Sequence, residues 1–327
     1  MSTTNRITIP RPGTGVPATV NSISGPSEES FTATFGKLLP AAQYLSTSYG
    51  KVAYYTYTPT TTTTSSRSSG QRVLLLHGVQ TPSLGLQPLA TSLHTQFPGA
   101  EFVLVDLWGH GLSSTPVLAH TPSLFHYLID SLLAHLTWNS CDLIGYSFGG
   151  STAISYIASS VSRAERVTSV ALVAPAGLWK CPDLDKEKLY DSDFEVSKEH
   201  VMELLEGGPL IVPNDWQSRI NNGEIVAEKI REWQMQTHTG HTASVVAIVR
   251  DGGVFGQEEA FKNAAKTQIP ILAVLGETDD VVFEQDLRAA GVDNVVVVKG
   301  AGHAVVRQKV PEVAKHIGDF WQQLQQR

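Results

Sequence analysis

The sequence predicts an α/β fold built on a mostly parallel, doubly wound sheet. Short, continuous apolar runs recur along the chain, which is typical of strands covered on both faces. Helix-length segments separate most of these runs, and this alternation favours a parallel sheet. One long segment after the sixth strand, 178–255, breaks the alternation and carries helical patterns of its own. We therefore expect a core at 41–177 and 256–327, a helical cap at 178–255 and an irregular arm at 1–40.

The elements follow in order from local patterns. A pattern at 44–57 indicates a hairpin that turns near Gly50. Six apolar runs then predict strands at 73–76, 102–105, 142–144, 170–173, 271–275 and 295–298. The segments between them predict helices at 86–97, 123–136, 147–160 and 283–290. The cap is expected to contain helices near 197–205, 214–220 and 224–236, because structureless loops of this length are rare in compact domains.

Two segments carry no periodic pattern. Residues 1–40 are rich in Ser, Thr, Pro and Gly, and we expect them to pack on the domain near Phe31 and Phe35. The Ser/Thr tract at 60–69 is expected to be a solvated connection. The first ten residues lack the basic region and apolar core of a secretory signal.

Composition excludes several classes of protein. The chain has 327 residues, of which 42% are hydrophobic, and this is ample to bury a core. A net charge of −7 gives no general attraction to nucleic acid or anionic membranes. No apolar run approaches the roughly 18 residues of a membrane helix. Cys141 and Cys181 are expected to be free thiols, which favours a cytoplasmic location.

The strongest local motif is Gly145-Tyr146-Ser147-Phe148-Gly149, which follows a predicted strand and precedes a predicted helix. This context is what a nucleophile elbow requires. The turn is so sharp that its central residue has strained backbone angles, and small residues are needed two positions away. The motif therefore predicts Ser147 as a nucleophile at a helix N-terminus, where the helix dipole favours developing negative charge.

A serine nucleophile needs a general base and a group that orients it. His303 follows the last predicted strand, at the sheet edge where ligand sites of open α/β sheets gather. Asp279 and Asp280 follow the preceding strand and are both candidates for the acid, with Glu277 a weaker third. The chain order Ser, Asp, His is the order that accompanies the nucleophile elbow.

Backbone amides complete the predicted site. Acyl transfer requires donors for the developing oxyanion, and the amides of Val79 and Phe148 are the candidates. Gly78 lets the chain turn tightly after its strand, and His77 is expected to be a structural hydrogen-bonding residue. Among the other histidines, His238 and His241 lack a third metal ligand and are expected to be polar residues of the cap.

The sequence resembles the α/β-hydrolase superfamily, more narrowly its lid-bearing serine hydrolases, which include esterases, lactonases and monoacylglycerol lipases. The resemblance extends from about residue 44 to the C-terminus. It rests on the segments 76–78, 106–113, 145–150, 276–279 and 302–303. The resemblance implies that Asp279 rather than Asp280 is the acid of the triad, and that the turn at 106–113 shapes the floor of the site.

The resemblance also bears on the reaction. Dehalogenases and epoxide hydrolases of this fold use an aspartate nucleophile, whereas this chain has Ser147. Carbon–carbon bond hydrolases commonly carry extra glycines where this chain has Val79 and Gln80. We therefore expect a serine hydrolase that cleaves a small carboxylic ester or lactone. Acyl transfer, carbon–carbon bond hydrolysis and a ligand-binding receptor on the same scaffold remain the alternatives.

The cap is expected to set specificity. It holds an unusual share of the chain's large apolar side chains, which indicates an apolar or aromatic substrate pocket. The candidate substrate-binding residues are Tyr146, Trp179, Met202, Trp216, Trp233, Met235 and Phe255. No nucleotide-binding or metalloprotease motif is present in the sequence, and we expect no cofactor and no metal.

Overall fold

A computed structural model describes residues 7–14, 21–60 and 70–326. The strands of these residues are β1 (Ser22–Ile23), β2 (Gln43–Thr47), β3 (Gly50–Tyr57), β4 (Arg72–Leu76), β5 (Glu101–Val105), β6 (Thr115–Pro116), β7 (Cys141–Tyr146), β8 (Val167–Val173), β9 (Ile271–Gly276) and β10 (Val295–Val298). Their helices are α1 (Glu28–Phe35), α2 (Gln87–Gln96), α3 (Pro122–His135), α4 (Phe148–Ser159), α5 (Val161–Ala164), α6 (Lys186–Leu189), α7 (Phe194–Glu206), α8 (Trp216–Asn221), α9 (Ala227–Thr237), α10 (His241–Asp251), α11 (Glu258–Lys266), α12 (Glu284–Ala289), α13 (Val305–Gln308) and α14 (Val310–Leu324).

The main sheet has eight strands in the order β10-β9-β8-β7-β4-β5-β3-β2. All neighbours from β10 to β5 are parallel, whereas β3 pairs antiparallel with both β5 and β2. The predicted hairpin is confirmed, because Thr47 lies opposite Gly50 across the turn between β2 and β3. The fold is therefore the mostly parallel α/β architecture that the alternation of apolar runs predicts.

Both faces of the sheet are buried. In β4, Leu74 and Leu76 pack into a cluster with side chains of α3 and α4. Val73 and Leu75 of the same strand pack into a second cluster with side chains of α2 and α14. Because successive side chains of a strand point to opposite faces, burial of both faces requires an apolar residue at every position. This requirement explains the continuous apolar runs of the sequence.

Helices α6 to α10 lie between β8 and β9 and form the helical insertion. The chain leaves and re-enters the core at one place: the amide of Gly177 donates to Val254 O at 2.9 Å, and the amide of Gln257 donates to Gly177 O at 2.8 Å. The three helices expected in the cap are found as α7, α8 and α9. The exact boundaries of the cap at 178 and 255 stay a prediction.

Helix α10, absent from the sequence expectation, holds the cap on the loop that follows β5. His241 Nδ1 donates to Gly109 O at 2.8 Å, and Ser244 Oγ donates to Trp108 O at 3.1 Å. His238, just before this helix, donates from Nε2 to Ser113 O at 2.8 Å. The two histidines expected to be polar cap residues are therefore buried between cap and core.

The arm expected to be irregular contains helix α1, which is a correction. The Ser27 side chain caps the helix by accepting from the amide of Ser30 at 3.1 Å, and acidic residues occupy the first turn. Phe31 and Phe35, one turn apart, are buried as expected near the domain. Their burial supplies the free energy that a lone eight-residue helix lacks in water. Before α1, β1 pairs with β6 in a two-stranded sheet.

Three further observations concern the described residues as a whole. None of their helices has the length and apolar character needed to cross a bilayer. Cys141 and Cys181 are both free, in agreement with the sequence expectation. The tract expected to be a solvated connection falls, apart from Thr60, outside the residues that the structure describes.

Candidate active site

Ser147 occupies the sharp turn between β7 and α4. Its backbone angles, φ 51° and ψ −118°, lie in a region that side chains larger than glycine rarely adopt. A β-carbon at Gly145 would collide with the carbonyl of Gly149, and one at Gly149 would collide with the carbonyl of Leu76. The strained serine and its two flanking glycines therefore have the geometry that the motif predicts.

His303 lies in the turn after β10 and contacts Ser147 directly. Its Nε2 atom is 3.0 Å from Ser147 Oγ, and its Nδ1 atom is 3.2 Å and 3.3 Å from the two carboxylate oxygens of Asp279. With Nδ1–H donating to the carboxylate, Nε2 carries a lone pair toward the serine hydroxyl. The structure thus brings together three residues that the sequence predicts at three separate strand ends.

Asp279 is held in place by its own loop. Its side chain is 1% exposed, and Oδ1 accepts from the amides of Val281 at 2.9 Å and Val282 at 3.3 Å. The other two acidic candidates are placed differently: Asp280 is exposed at the rim of the cavity, and Glu277 Oε2 accepts from the amide of Gly300 at 2.9 Å. The acid that contacts His303 is therefore the one that the family resemblance selects.

Val79 and Phe148, whose amides are the predicted oxyanion donors, line the cavity beside Ser147. Within the described ranges of the chain, neither amide donates to a protein acceptor. A β-carbon at Gly78 would lie 2.9 Å from Ser147 Cβ, so the loop that carries Val79 passes directly over the serine. The backbone of both residues therefore lies next to Ser147, and their role as oxyanion donors stays a prediction.

Buried histidines fix the loop that carries Val79. His77 Nδ1 donates to Gly78 O at 2.7 Å, and its Nε2 accepts from the amide of Leu107 at 2.8 Å, which agrees with the structural role expected of it. His110 Nε2 accepts from the amide of Gln80 at 3.1 Å. Burial, with the neighbouring His241 and His77, holds the pKa of His110 well below its usual value. His110 is therefore neutral and keeps the lone pair that the Gln80 amide needs.

A cavity of about 240 Å³ opens onto Ser147 and His303. Of the predicted substrate-binding residues, Tyr146 and Trp179 line it. Phe255 stacks on Trp179 with ring centroids 5.1 Å apart, so it supports the cavity wall from behind. Met202 lies close by, with its sulfur 3.6 Å from Gln80 Nε2. The cavity therefore sits where a substrate would meet both Ser147 and the cap.

The sequence matches the Alpha/beta hydrolase family over residues 73–315. The chain belongs to this family. No curated protein matches the chain significantly. Its fold is similar to that of solved structures with low sequence identity to this chain. At such identity the similarity concerns the architecture alone.

Three of those structures illustrate the similarity. The enol-lactonase from Burkholderia xenovorans has 18% identity and a TM-score of 0.64, covering 86% of this chain and 100% of that one. An esterase from Exiguobacterium antarcticum has 16% identity and a TM-score of 0.63, covering 86% and 99%. Carboxylesterase CesB from Bacillus subtilis has 18% identity and a TM-score of 0.63, covering 90% and 96%.

Three predicted substrate-binding residues of this α/β hydrolase lie away from the cavity, which is a correction. Trp233 is 4% exposed and packs against Phe31 and Phe35 of α1. The ammonium nitrogen of Lys229 lies over the ring of Trp216, 4.3 Å from the ring centroid. Met235 is 39% exposed on the cap surface. These three side chains of α8 and α9 are therefore not part of the cavity lining.

Two arginines line the cavity of this α/β hydrolase, and the sequence analysis missed both. Arg231 comes from α9, and its Nη1 donates to Glu206 Oε2 at 2.7 Å. Arg307 comes from α13, with its guanidinium carbon 5.6 Å from the Tyr146 ring centroid. Arg307 lies four residues after His303, which precedes α13, and no local pattern in the sequence distinguishes it from other charged residues. The cavity is therefore more polar than the predicted apolar pocket.

Proposed function

We propose that this α/β hydrolase cleaves a small carboxylic ester or lactone through an acyl-enzyme on Ser147. The observation that carries the proposal is the hydrogen bond of 3.0 Å between His303 Nε2 and Ser147 Oγ. A hydroxyl is a weak nucleophile until a base removes its proton, and this bond places a base at hydrogen-bond distance. The solved lactonase and esterases of similar fold add support at the level of the family.

The reaction begins when Ser147 Oγ attacks the carbonyl carbon and His303 Nε2 takes the serine proton. The imidazolium that forms is stabilised by Asp279, which also fixes the ring orientation through the contacts to Nδ1. His303 then protonates the leaving alcohol as the tetrahedral intermediate collapses. A water deprotonated by His303 attacks the acyl-enzyme and releases the acid.

The amides of Val79 and Phe148 would bind the oxygen that becomes negative in the tetrahedral intermediate. They are fixed before the substrate arrives, because His77 and His110 hold the first loop and helix α4 holds the second amide. Preorganised donors stabilise developing charge without reorganisation, and one such donor contributes about 3 kcal/mol to the transition state in serine hydrolases of other folds.

The proposal is tested with a fluorophosphonate probe and mass spectrometry of the labelled peptide. The wild type should be labelled at Ser147, and Ser147→Ala should lose both the label and ester hydrolysis. Turnover of an ester in water containing oxygen-18 should place the heavy oxygen in the acid product. A folded protein that is not labelled at Ser147, or that moves the acyl group only to an added alcohol or amine, would contradict the proposal.

Ser155 offers a matched control because it also contacts a histidine. His126 Nε2 lies 2.9 Å from Ser155 Oγ, which in turn donates to Thr152 O at 3.1 Å. His126 therefore donates from Nε2 to the Ser155 hydroxyl. Its Nδ1 accepts from Arg163 Nη1 at 3.3 Å. Ser155→Ala should keep both labelling and turnover, because Ser155 has a histidine partner but no base.

A further inference from the structure

We infer that the cavity beside Ser147 binds an anionic group of the substrate, so that the ester or lactone carries a free carboxylate. The inference rests on the proposed function and narrows its substrate class. Two guanidinium groups border the same cavity of about 240 Å³ as Ser147 and His303, one from the core and one from the cap. Whether an anion binds there depends on how far nearby carboxylates already neutralise the charge of each guanidinium.

Arg307 has no anionic partner among the described residues. Its side chain takes part in no salt bridge or hydrogen bond within that part of the chain, and its Nη1 atom is buried without an acceptor. Its neighbour is the Tyr146 ring, whose centroid is 5.7 Å from that of His303. A buried charged donor without an acceptor is destabilising, and a bound anion would remove that cost.

Arg231 lies against two carboxylates. Its Nη2 atom is 3.7 Å from Glu228 Oε1. Its Nη1 pairs with Glu206, whose side chain is only 9% exposed, while its Nε atom is buried without a partner. Burial raises the pKa of Glu206, and the guanidinium of Arg231 opposes that rise. These two carboxylates leave no net positive charge at the cap side of the cavity. Arg231 therefore adds a donor, and Arg307 adds the uncompensated positive charge.

Asp280 is the other charged residue that lines the cavity. It is exposed at the rim and forms no salt bridge with Arg307 within the described chain. Charges in contact with water are strongly screened, whereas a half-buried guanidinium is screened less. The inner part of the cavity therefore attracts an anion, and Asp280 weakens that attraction only at the entrance.

A carboxylate fits this site better than other anions on the substrate of an esterase. The guanidinium is a planar fork that binds a carboxylate through two parallel hydrogen bonds. Arg307 and His303 both lie within about 6 Å of the Tyr146 ring centroid, so the carboxylate would bind a few bonds away from the carbonyl that Ser147 attacks. Substrates of this kind are half-esters of short dicarboxylic acids and lactones with a carboxylate side arm.

The test compares two isosteric esters that differ in charge: ethyl hydrogen adipate and the ethyl ester of adipamic acid. For the wild type, kcat/KM should be at least about 10-fold higher for the carboxylate, as expected of a charge-assisted hydrogen bond. Arg307→Gln should remove this preference, because it should raise KM for the carboxylate ester far more than KM for the amide ester. Arg307→Lys should retain part of the preference for the carboxylate ester, and Asp280→Asn should increase that preference. Equal preference in the wild type and Arg307→Gln would overturn the inference.

Binding of adipate itself, measured by calorimetry, separates this inference from the proposed function because it needs no turnover. The wild type should bind adipate at least about 10-fold more tightly than Arg307→Gln does. Arg219→Gln is the matched control, since Arg219 lies on the cap surface and pairs with Glu224 at 2.9 Å, and it should bind like the wild type. If Ser147 is unreactive but adipate binding depends on Arg307, only the proposed function fails. If wild type and Arg307→Gln bind adipate equally, the anion site fails, whatever the reactivity of Ser147.

Discussion

Trp233 of the cap and Phe31 of the N-terminal helix contact each other edge to face, with ring centroids 5.5 Å apart and ring planes at 80°. Phe35 makes a similar contact with the same tryptophan at 5.6 Å. The two elements are about 200 residues apart in sequence, and three aromatic rings join them. Helix α1 is therefore part of what holds the cap in position.

Trp233→Ala should destabilise the protein by about 3–5 kcal/mol, because it removes a buried indole and leaves a cavity between α1 and α9. Urea unfolding at neutral pH measures the loss. Trp216→Ala is the matched control, since that indole is half-buried, and it should cost clearly less. Equal losses for the two variants would show that the aromatic contact with α1 contributes little to stability.

Asp279→Asn should lower kcat of ester hydrolysis by about 10³-fold or more, with a small change in KM. The amide can no longer stabilise the charged imidazole, and it can turn its NH₂ group toward Nδ1 and favour the wrong tautomer. Asp280→Asn, the adjacent carboxylate, should keep kcat for a neutral ester within about 10-fold, since it does not contact His303. Steady-state kinetics with an uncharged ester decide between them. A larger loss of kcat for Asp280→Asn than for Asp279→Asn would show that Asp279 is not the acid that supports His303.

Stability should fall as the pH is lowered below about 6.5. Burial lowers the pKa of His241 to about 3, with His238 and His77 nearby adding to the effect. Between the two pKa values the unfolded chain binds a proton at His241 that the native state does not, so the free energy of unfolding decreases as the pH falls. At pH 5 this histidine alone should have lowered the free energy of unfolding by about 2 kcal/mol relative to its value at neutral pH.

His241→Asn isolates this contribution, because the asparagine amide can still donate to Gly109 O. The free energy of unfolding of the variant, measured with urea, should change less between pH 7 and pH 5 than that of the wild type. Above pH 7.5 this histidine is neutral in both states, and the two proteins should show the same pH dependence. Identical slopes between pH 7 and pH 5 would mean that His241 is not buried as a neutral group.

The strands, Ser147 and the two residues beside it could be predicted because each leaves a local signal. A strand buried on both faces needs an uninterrupted apolar run, as in β4, and a residue directly after such a run lies at the sheet edge. Ser147, Asp279 and His303 all follow strands in this way. Their common location could therefore be deduced without knowledge of any long-range contact.

Other features depend on contacts that no local pattern contains. Helix α10 is stabilised by His241 and Ser244, whose acceptors lie 132 and 136 residues away in sequence. The direction in which Trp233 faces depends on α1, a short helix in a segment rich in turn-forming residues. Arg307 is one of many charged residues in the sequence, and only tertiary packing shows that it enters the cavity.

The place where the cap leaves the core has a consequence for how such proteins diversify. Gly177 is hydrogen-bonded to both Val254 and Gln257, so the two ends of the insertion meet within the span of a single residue. A segment whose ends meet can be lengthened, shortened or exchanged without moving the strands on either side. The sheet and the turn that carries Ser147 can thus remain constant while the insertion between β8 and β9 is exchanged as a replaceable module.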